Sequence, residues 1–335
     1  MPGLKTFLAA GLGFTFLIGT LSIGAPSSAW AAAAPGSWSN IAPSPVPRSE
    51  VQTAVIDGKI YVVGGNTFEM ENGEYTVVND SGINEVYDPA TNSWTTLSPV
   101  PRGANHTAIA ALNGKVYIAG GFTERRHGNT VDWFYAYDPV QDAWQALPSL
   151  STPRGSSAMV ALDGKIHIIS GRIVDADGPV STHEVFDPAT NVWSTAAPIP
   201  TARDHVGIEV VEGNIHVYGG RTSSGNSNVD LHDIYDPESD SWVSAPPMPT
   251  ARSNGGFAQY RDMLFFIGGE CNDGSFDDSE AYDTASGVWR SLAPLPIGRH
   301  ANAAAVTGDK LYVFGGTSSC GSNGPMVENV VFTLP

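Results

Sequence analysis

A short pattern that recurs through almost the whole chain constrains the fold more than any other feature. Six tryptophans are spaced 56, 50, 49, 49 and 47 residues apart, at Trp38, Trp94, Trp144, Trp193, Trp242 and Trp289. The same spacings separate six pairs of a small residue and a glycine, each closing an apolar run: Gly64-Gly65, Gly120-Gly121, Ser170-Gly171, Gly219-Gly220, Gly268-Gly269 and Gly315-Gly316. A repeat of this length indicates one supersecondary unit used many times.

Each unit is predicted to form four short strands. The first strand ends in a tight turn such as Asp57-Gly58, which needs positive φ. The second ends at the glycine pair, the third ends in an aromatic-Asp turn such as Tyr87-Asp88-Pro89, and the fourth carries the tryptophan. Charged residues make up only 15% of the 335 residues, which disfavours long solvated helices.

The order of glycine pair, aromatic-Asp-Pro turn and tryptophan resembles the Kelch repeat, over residues 32–335. The resemblance implies an all-β, six-bladed β-propeller. The last unit stops after its third strand and lacks a tryptophan, so we expect the segment around Trp38 to supply the missing strand. This pairing would close the ring and remove an exposed sheet edge.

Residues 1–31 have the pattern of an export signal. Lys5 precedes an apolar run over residues 7–24, and Ala29-Trp30-Ala31 fits the small-x-small cleavage rule. The alternative is a membrane anchor, because the run approaches the length that spans a bilayer. We expect removal of the segment and a bacterial-type exported protein, secreted or periplasmic, that is free of the membrane.

Charge and residue counts exclude several kinds of partner and site. The formal net charge of −17 argues against binding to nucleic acid or to an anionic membrane surface. Two cysteines cannot form a four-thiolate zinc site, and no His-x-x-x-His spacing occurs. We therefore expect no metal and no cofactor, and we expect a monomer. The alternative is calcium at one of two acidic loops, Asp175-Ala176-Asp177-Gly178 or the cluster of Asp273, Asp277 and Asp278.

Arginines recur eight to ten residues after each tryptophan, at Arg48, Arg102, Arg154, Arg203, Arg252 and Arg299. In a propeller these positions share one face with the residues after the glycine pairs, which include Arg172 and Arg221. A ring of arginines there would bind carboxylates, similar to the use of arginines by some Kelch adaptors that hold acidic peptides. The alternative is that the arginines belong to the repeat itself and bind carbonyls or acids of the neighbouring blade.

One carboxylate stands out when the units are aligned on these arginines. The position six residues on is small or apolar in five units (Ala54, Ala108, Val160, Ala258 and Ala305) and is Glu209 in the remaining one. Arg203, His205 and Glu209 have the same parity, which predicts that they share one side of a strand. Glu209 and His205 are thus the candidate catalytic residues, for general acid-base work on a sugar or an acid. The alternative is a glutamate held by the next blade.

Cys271 and Cys320 both lie shortly after a glycine pair, on units that would be adjacent in a propeller. In an exported protein we expect them to form a disulfide. The alternative is two free thiols that lie too far apart.

Three classes of function fit a Kelch-like propeller. The first is a secreted ligand-binding protein that recognises an anionic small molecule, glycan or acidic peptide at its mouth, and this is our prediction. The alternative is an enzyme of the epimerase, mutarotase or lyase type, similar to exported Kelch propellers that act on sialic acid. The third resembles galactose oxidase, but the tyrosines and histidines that hold its copper have no match here.

Overall fold

The computed structural model describes residues 36–71, 74–124, 127–174, 176, 178–223, 227–271, 274–319 and 323–335. Within these ranges every regular element is a strand, and the strands form six blades of four antiparallel strands each. The prediction of an all-β, six-bladed propeller is confirmed. Residues 1–31 lie outside the described residues. Among the described ones, none belongs to a helix long and apolar enough to cross a membrane.

The strands of the first half of the chain follow the repeat. Before and within blade one lie β1 (Trp38–Ile41), β2 (Arg48–Ser49), β3 (Gln52–Ile56), β4 (Lys59–Val63), β5 (Asn66–Glu71), β6 (Glu74–Asp80), β7 (Asn84–Asp88) and β8 (Ser93–Leu97). Blade two holds β9 (Ala108–Leu112), β10 (Lys115–Ala119), β11 (Phe122–Thr123), β12 (Asn129–Thr130), β13 (Phe134–Asp138) and β14 (Ala143–Leu147). Blade three holds β15 (Ala158–Leu162), β16 (Lys165–Ile169), β17 (His183–Asp187) and β18 (Val192–Thr195).

The second half repeats this order. Blade four holds β19 (Gly207–Val211), β20 (Asn214–Tyr218), β21 (His232–Asp236) and β22 (Ser241–Ser244). Blade five holds β23 (Gly256–Tyr260), β24 (Met263–Ile267), β25 (Glu270–Cys271), β26 (Gly274–Ser275), β27 (Ser279–Asp283) and β28 (Val288–Ser291). Blade six holds β29 (His300–Thr307), β30 (Lys310–Ser319), β31 (Asn323–Pro325) and β32 (Asn329–Thr333).

The two ends of the chain close the ring. Strand β1 pairs with β32 in antiparallel register, with Trp38 opposite Phe332 and Ile41 opposite Asn329. The Trp38 and Phe332 rings pack with their centroids 5.2 Å apart, and Nε1 of Trp38 donates to the carbonyl of Ala293 at 2.9 Å. The predicted closure is therefore confirmed.

The tryptophans hold neighbouring blades together. The indole Nε1 of each of the six repeat tryptophans donates to a carbonyl of the preceding blade; Trp94, for example, donates to Ala42 at 3.2 Å and Trp144 to Ser98 at 2.8 Å. The ring of Trp94 also packs against Tyr87 of the aromatic-Asp turn, with centroids 5.2 Å apart. The repeat residues that reveal the fold are thus the residues that pack its blades.

The first strands of the six blades surround the central axis. Each contacts the first strand of the next blade, and β29 returns to β3. Strand β4 then leads to Gly65, which has a φ of 92° and whose Cβ would collide with the carbonyl oxygen of Ser49. The glycine pair therefore lets the chain pass directly over the start of the first strand. Both segments lie at one end of the axis, which we call the mouth.

Candidate functional site

Five of the six repeat arginines lie inside the blades. Arg48, Arg154, Arg203, Arg252 and Arg299 are each at most 2% exposed. Four of them meet a carboxylate on the third strand of their own blade at 2.5 to 2.7 Å: the pairs are Arg48 with Glu85, Arg154 with Glu184, Arg203 with Asp233, and Arg252 with Glu280. Three of these guanidinium groups, those of Arg48, Arg203 and Arg252, also donate to backbone carbonyls near the end of the second strand, as Arg203 does to Val217 and Gly219.

This placement corrects the idea of an arginine ring open to ligands at the mouth. Five of the guanidinium groups are buried, four of them paired with a carboxylate and that of Arg299 bonded to carbonyls, and they therefore serve to hold their blades together. The acid belongs to the arginine's own blade, two positions before the aromatic of the Asp-Pro turn, and that spacing is visible in the sequence.

Blade two departs from this rule. Arg102 is exposed, and its guanidinium lies 5.2 Å from the centroid of the Trp133 ring. The segment from the tryptophan to the first strand has the same length in blade two as in blade one, but its arginine stands two residues earlier, so buried Ala104 takes the place of the packed arginine. The alignment on Arg102 therefore shifts by two, and the residue equivalent to Glu209 in blade two is Ala110, not Ala108.

Arg172 and Arg221 reach the mouth but differ in their surroundings. Arg221 is buried; its Nε lies 2.9 Å from Oδ1 of Asp204, and its Nη1 lies 3.0 Å from Oε2 of Glu270. Two carboxylates therefore neutralise its charge. Arg172 is only half-buried, and within the described part of the chain its guanidinium makes no hydrogen bond or ion pair. Of the eight predicted ligand-binding arginines, Arg172 best keeps a free charge at the mouth.

A belt of six residues encircles the axis at the mouth end of the first strands. All six have a left-handed backbone, with φ between 51° and 57°: they are Glu50, His106, Ser156, His205, Asn254 and Ala301. We call them the mouth belt. Backbone hydrogen bonds join neighbouring belt residues at five of the six junctions. The N–H of Glu50 donates to the carbonyl of Ala301 at 2.8 Å, and the same bond repeats from Ala301 to Asn254, His205, Ser156 and His106 in turn.

The sixth junction of the mouth belt is made by side chains. Nε2 of His106 lies 2.9 Å from Oε2 of Glu50, and Nδ2 of Asn254 donates to Oε1 of Glu50 at 3.1 Å. Burial alone would raise the pKa of Glu50, but the neighbouring imidazole of His106 outweighs it and holds that pKa well below its usual range. Glu50 is therefore an ionised carboxylate at the axis.

Both belt histidines are oriented by the residue that precedes them. Nδ1 of His205 is 2.5 Å from Oδ1 of Asp204, and Nδ1 of His106 contacts Oδ1 of Asn105. Each histidine therefore turns Nε2 toward the mouth. Burial, followed by the charge of Arg221, lowers the pKa of His205 well below its usual value, so this imidazole is neutral.

A third histidine joins the belt from a neighbouring loop. His127, an exposed residue between β11 and β12, packs its ring 4.6 Å from that of His106 and 5.9 Å from that of His205. One ligand atom from each of the three histidines lies within 4.8 Å of the others. The histidines are 21 and 78 residues apart in sequence, so local spacing could not reveal the cluster.

Glu209 is not part of this cluster. The left-handed φ of 57° at His205 breaks the alternation of strand side chains, and β19 begins only at Gly207. Glu209 stands four positions after His205, and extended chain of that length spans roughly 13 Å. Glu209 instead lines a channel cavity of about 300 Å³ between the first strands, and burial raises its pKa to about 8. The predicted arrangement of Arg203, His205 and Glu209 on one side of a strand is therefore not formed.

One feature of the sequence does indicate the mouth belt, although an alignment on the arginines does not show it. The belt residue stands two positions after the packed arginine, or after Ala104 in blade two. It is polar in five of the six repeats. A cavity of about 40 Å³ lies among these belt side chains, large enough for a few waters only.

The predicted disulfide stays a prediction, because Cys320 and the side chain of Cys271 lie outside the described residues.

Comparison with known proteins gives matches along the chain. The family model of the KLHDC2/KLHL20/DRC7 Kelch-repeats domain matches residues 156–331, and the Kelch motif matches residues 47–101 and 104–151. The chain is 38% identical over 88 residues to the Kelch-like protein terF of Aspergillus terreus, covering 26% of this chain and 18% of that protein. It is 31% identical over 86 residues to human Kelch-like protein 28, covering 26% of this chain and 15% of that protein.

The chain thus matches less than a fifth of the length of these two relatives. Among solved structures, that of YjhT superposes with a TM-score of 0.73 at 17% identity, covering 88% of this chain and 97% of that one. At this identity the likeness concerns the fold alone. The family-model matches, however, extend over all six units, and the chain belongs to the Kelch-repeat family.

Proposed function

We propose that this chain is an exported ligand-binding propeller that holds a carboxylate-bearing glycan or acidic peptide at its mouth. The observation that carries the proposal is the half-buried guanidinium of Arg172, which makes no hydrogen bond or ion pair within the described residues. An arginine with unused donors is well suited to bind a carboxylate in a bidentate way.

The neighbouring charges leave Arg172 as the available group. The acids of the mouth already have partners, because Glu50 contacts His106 and Asn254, while Asp204 and Glu270 hold Arg221. An incoming carboxylate would therefore meet a cation whose charge no hydrogen-bonded acid offsets. Exposed Arg102 adds a second guanidinium to the same face.

The small size of the belt cavity favours a ligand that rests on the mouth. A space of about 40 Å³ cannot enclose a sugar ring or a peptide side chain. The ligand would instead contact the rim, where the loops after the glycine pairs stand. This geometry is typical of a binding module whose scaffold is rigid and whose loops recognise the partner.

Calorimetric titration of the mature chain with matched ligands tests the proposal. The ligands are N-acetylneuraminic acid, oligogalacturonate, a glutamate-rich peptide and neutral N-acetylglucosamine. We expect one carboxylate ligand to bind, and Arg172→Ala to weaken that binding by roughly 10- to 100-fold, the value of a charge-assisted hydrogen bond. Arg261→Ala is the matched control, because Arg261 is exposed on a turn at the opposite end of its blade.

Three results would contradict the proposal: no binding by any acidic ligand, binding of the neutral sugar alone, or equal affinity in Arg172→Ala and the parent chain. The peptide and glycan arms distinguish the two sources of the carboxylate. Export is tested separately by mass spectrometry of the secreted or periplasmic protein. We expect a mature N-terminus at Ala32, and retention of residues 1–31 would contradict the leader.

Glu209 favours a second candidate function, an enzyme that epimerises, mutarotates or cleaves an acidic sugar. Its carboxyl group has a pKa raised to about 8 by burial and makes no hydrogen bond within the described residues. It is therefore protonated at neutral pH and can act as a general acid in the channel of about 300 Å³.

This second candidate is tested by turnover. Sialic and uronic acids are incubated with the protein, and exchange of anomers or epimers is followed by NMR. We expect Glu209→Gln to lower any turnover by about 100-fold or more, whereas Val160→Ala, at the same register position in blade three, leaves it within about twofold. Undiminished turnover in Glu209→Gln would exclude the residue as the acid.

A further inference from the structure

We propose that the mouth binds a divalent transition metal through His106, His127 and His205, with Glu50 as the fourth ligand. The three imidazoles come from two belt positions and one hairpin, and one ring nitrogen of each lies within 4.8 Å of the others. The metal ligands do not include Arg172, and the proposal does not depend on the carboxylate ligand proposed above.

The two buried histidines are prepared as metal ligands by the acceptors behind them. Asp204 accepts from Nδ1 of His205, and Asn105 contacts Nδ1 of His106. A ligating histidine typically donates its second ring N–H to a carboxylate or carbonyl group, which fixes the tautomer and leaves the other nitrogen unprotonated. In both cases that other nitrogen, Nε2, is the one turned toward the mouth.

A buried atom without a hydrogen bond points to the same place. Nε2 of His106 is buried and lies 2.9 Å from Oε2 of Glu50, but this contact lacks the geometry of a hydrogen bond, and no other group of the described residues bonds to Nε2. Buried polar nitrogens are rarely left in this state unless an ion or a water completes them. A cation between His106 and Glu50 would satisfy both groups.

The charge around the cluster suits a dication. Glu50, Asp204 and Glu270 carry three negative charges, whereas Arg172 and Arg221 carry two positive ones. Nη2 of Arg221 lies 3.4 Å from Nε2 of His205, but Asp204 and Glu270 hold that guanidinium and offset its charge. The local balance is therefore one negative charge before a metal enters.

The donor set selects the class of metal. Three imidazole nitrogens and one carboxylate oxygen favour zinc, cobalt or nickel over magnesium and calcium, which prefer oxygen ligands. Tetrahedral zinc with nitrogens at about 2.0–2.1 Å places those nitrogens about 3.4 Å apart. The cluster must therefore contract by at most about 1.4 Å. His127 is exposed on a short hairpin, so its side chain has room for this movement.

The test uses untagged, chelator-treated mature protein and Zn²⁺ or Co²⁺ as the probe. Calorimetric titration with Zn²⁺ should give one tight site per chain, and Co²⁺ should give the strong visible absorption of a tetrahedral nitrogen-rich site. We expect His127→Ala to weaken Zn²⁺ binding by at least tenfold and to abolish that absorption. Because the side chain of His127 is exposed, this substitution leaves the fold intact, which circular dichroism verifies.

Asn129→Ala is the matched control, since Asn129 is exposed on the same hairpin. It should bind both metals as the parent chain does. The proposal is overturned if the parent chain binds no Zn²⁺, or if His127→Ala binds it with unchanged affinity and an unchanged cobalt spectrum. In those cases the three histidines form an aromatic cluster with Phe122, whose ring lies 4.7 Å from that of His127.

Discussion

The pairing of Arg252 with Glu280 offers a measure of what holds each blade together. Nη2 of Arg252 is 2.6 Å from Oε2 of Glu280, and Nη1 donates to the carbonyls of Gly268 and Asp278 at 2.8 and 2.9 Å. Both side chains are at most 3% exposed. Arg252→Met keeps most of the volume but leaves the carboxylate buried without its cation, so we expect a loss of about 3–5 kcal/mol in the free energy of unfolding.

Blade six supplies the control for this perturbation. Arg299 is equally buried and donates to the carbonyls of Gly315 and Glu328, but Val330 stands where the other blades carry the acid. Arg299→Met therefore removes two hydrogen bonds to carbonyls and strands no carboxylate. At about 1 kcal/mol for each bond, we expect a loss of about 2 kcal/mol.

Equilibrium unfolding in guanidinium chloride, followed by tryptophan fluorescence, gives both losses. Arg252→Met should cost about 1–3 kcal/mol more than Arg299→Met. In the double variant Arg252→Met/Glu280→Leu, no charge remains buried, so at least half of the loss should be recovered. Equal losses in the two single variants, or no recovery in the double one, would show that the carboxylate pairing is not what makes these arginines necessary.

Three further outcomes follow from the packing and the charges. Burial lowers the pKa of His167 to about 4, so the unfolded chain takes up a proton before the folded chain does, and stability falls as the pH drops from about 6.5 toward 4. His167→Phe introduces the residue that blade five carries at the same register, Phe265. We expect this variant to show a shallower loss of stability in acid unfolding curves. Trp38→Ala should lower the free energy of unfolding by about 2–4 kcal/mol, because it removes the ring that packs on Phe332 at the closure; an unchanged midpoint would mean that β1 pairing alone closes the ring. Glu209→Gln should gain stability relative to the parent chain as the pH rises from 4.5 to about 8, since only the parent must keep a proton there; a pH-independent difference in unfolding midpoints would contradict the raised pKa.

The repeat predicts the blades well because its residues are those that pack them. The tryptophans and the glycine pairs make contacts that recur in every blade, and the aromatic-Asp turns recur in five of the six, so their spacing carries the fold. The closure by β1 was predictable for the same reason, since the last unit lacks the pattern of a single strand and the first residues supply it.

The mouth was less accessible to sequence reasoning, for two physical reasons. In blade two the arginine follows its tryptophan by eight residues instead of ten, so Arg102 misses the packed position, Ala104 occupies it, and an alignment on the arginines places this blade two residues out of register. His205 has a left-handed backbone where side-chain alternation requires an extended one, and this redirects its side chain across the axis toward His106. Contacts between blades cannot be read from spacing within one repeat.

The mouth belt explains how one scaffold keeps its shape while its centre varies. The junctions between Glu50, Ala301, Asn254, His205 and Ser156 are made by backbone N–H and carbonyl groups, which any residue supplies. Ala301 shows that the left-handed position tolerates a side chain with no polar atom. Because backbone groups make five of the six junctions, and side chains make only the one between Glu50 and His106, the belt can carry glutamate, histidine or asparagine without disturbing the blades. Polar side chains that the fold does not need, gathered on the axis, are best understood as residues for binding.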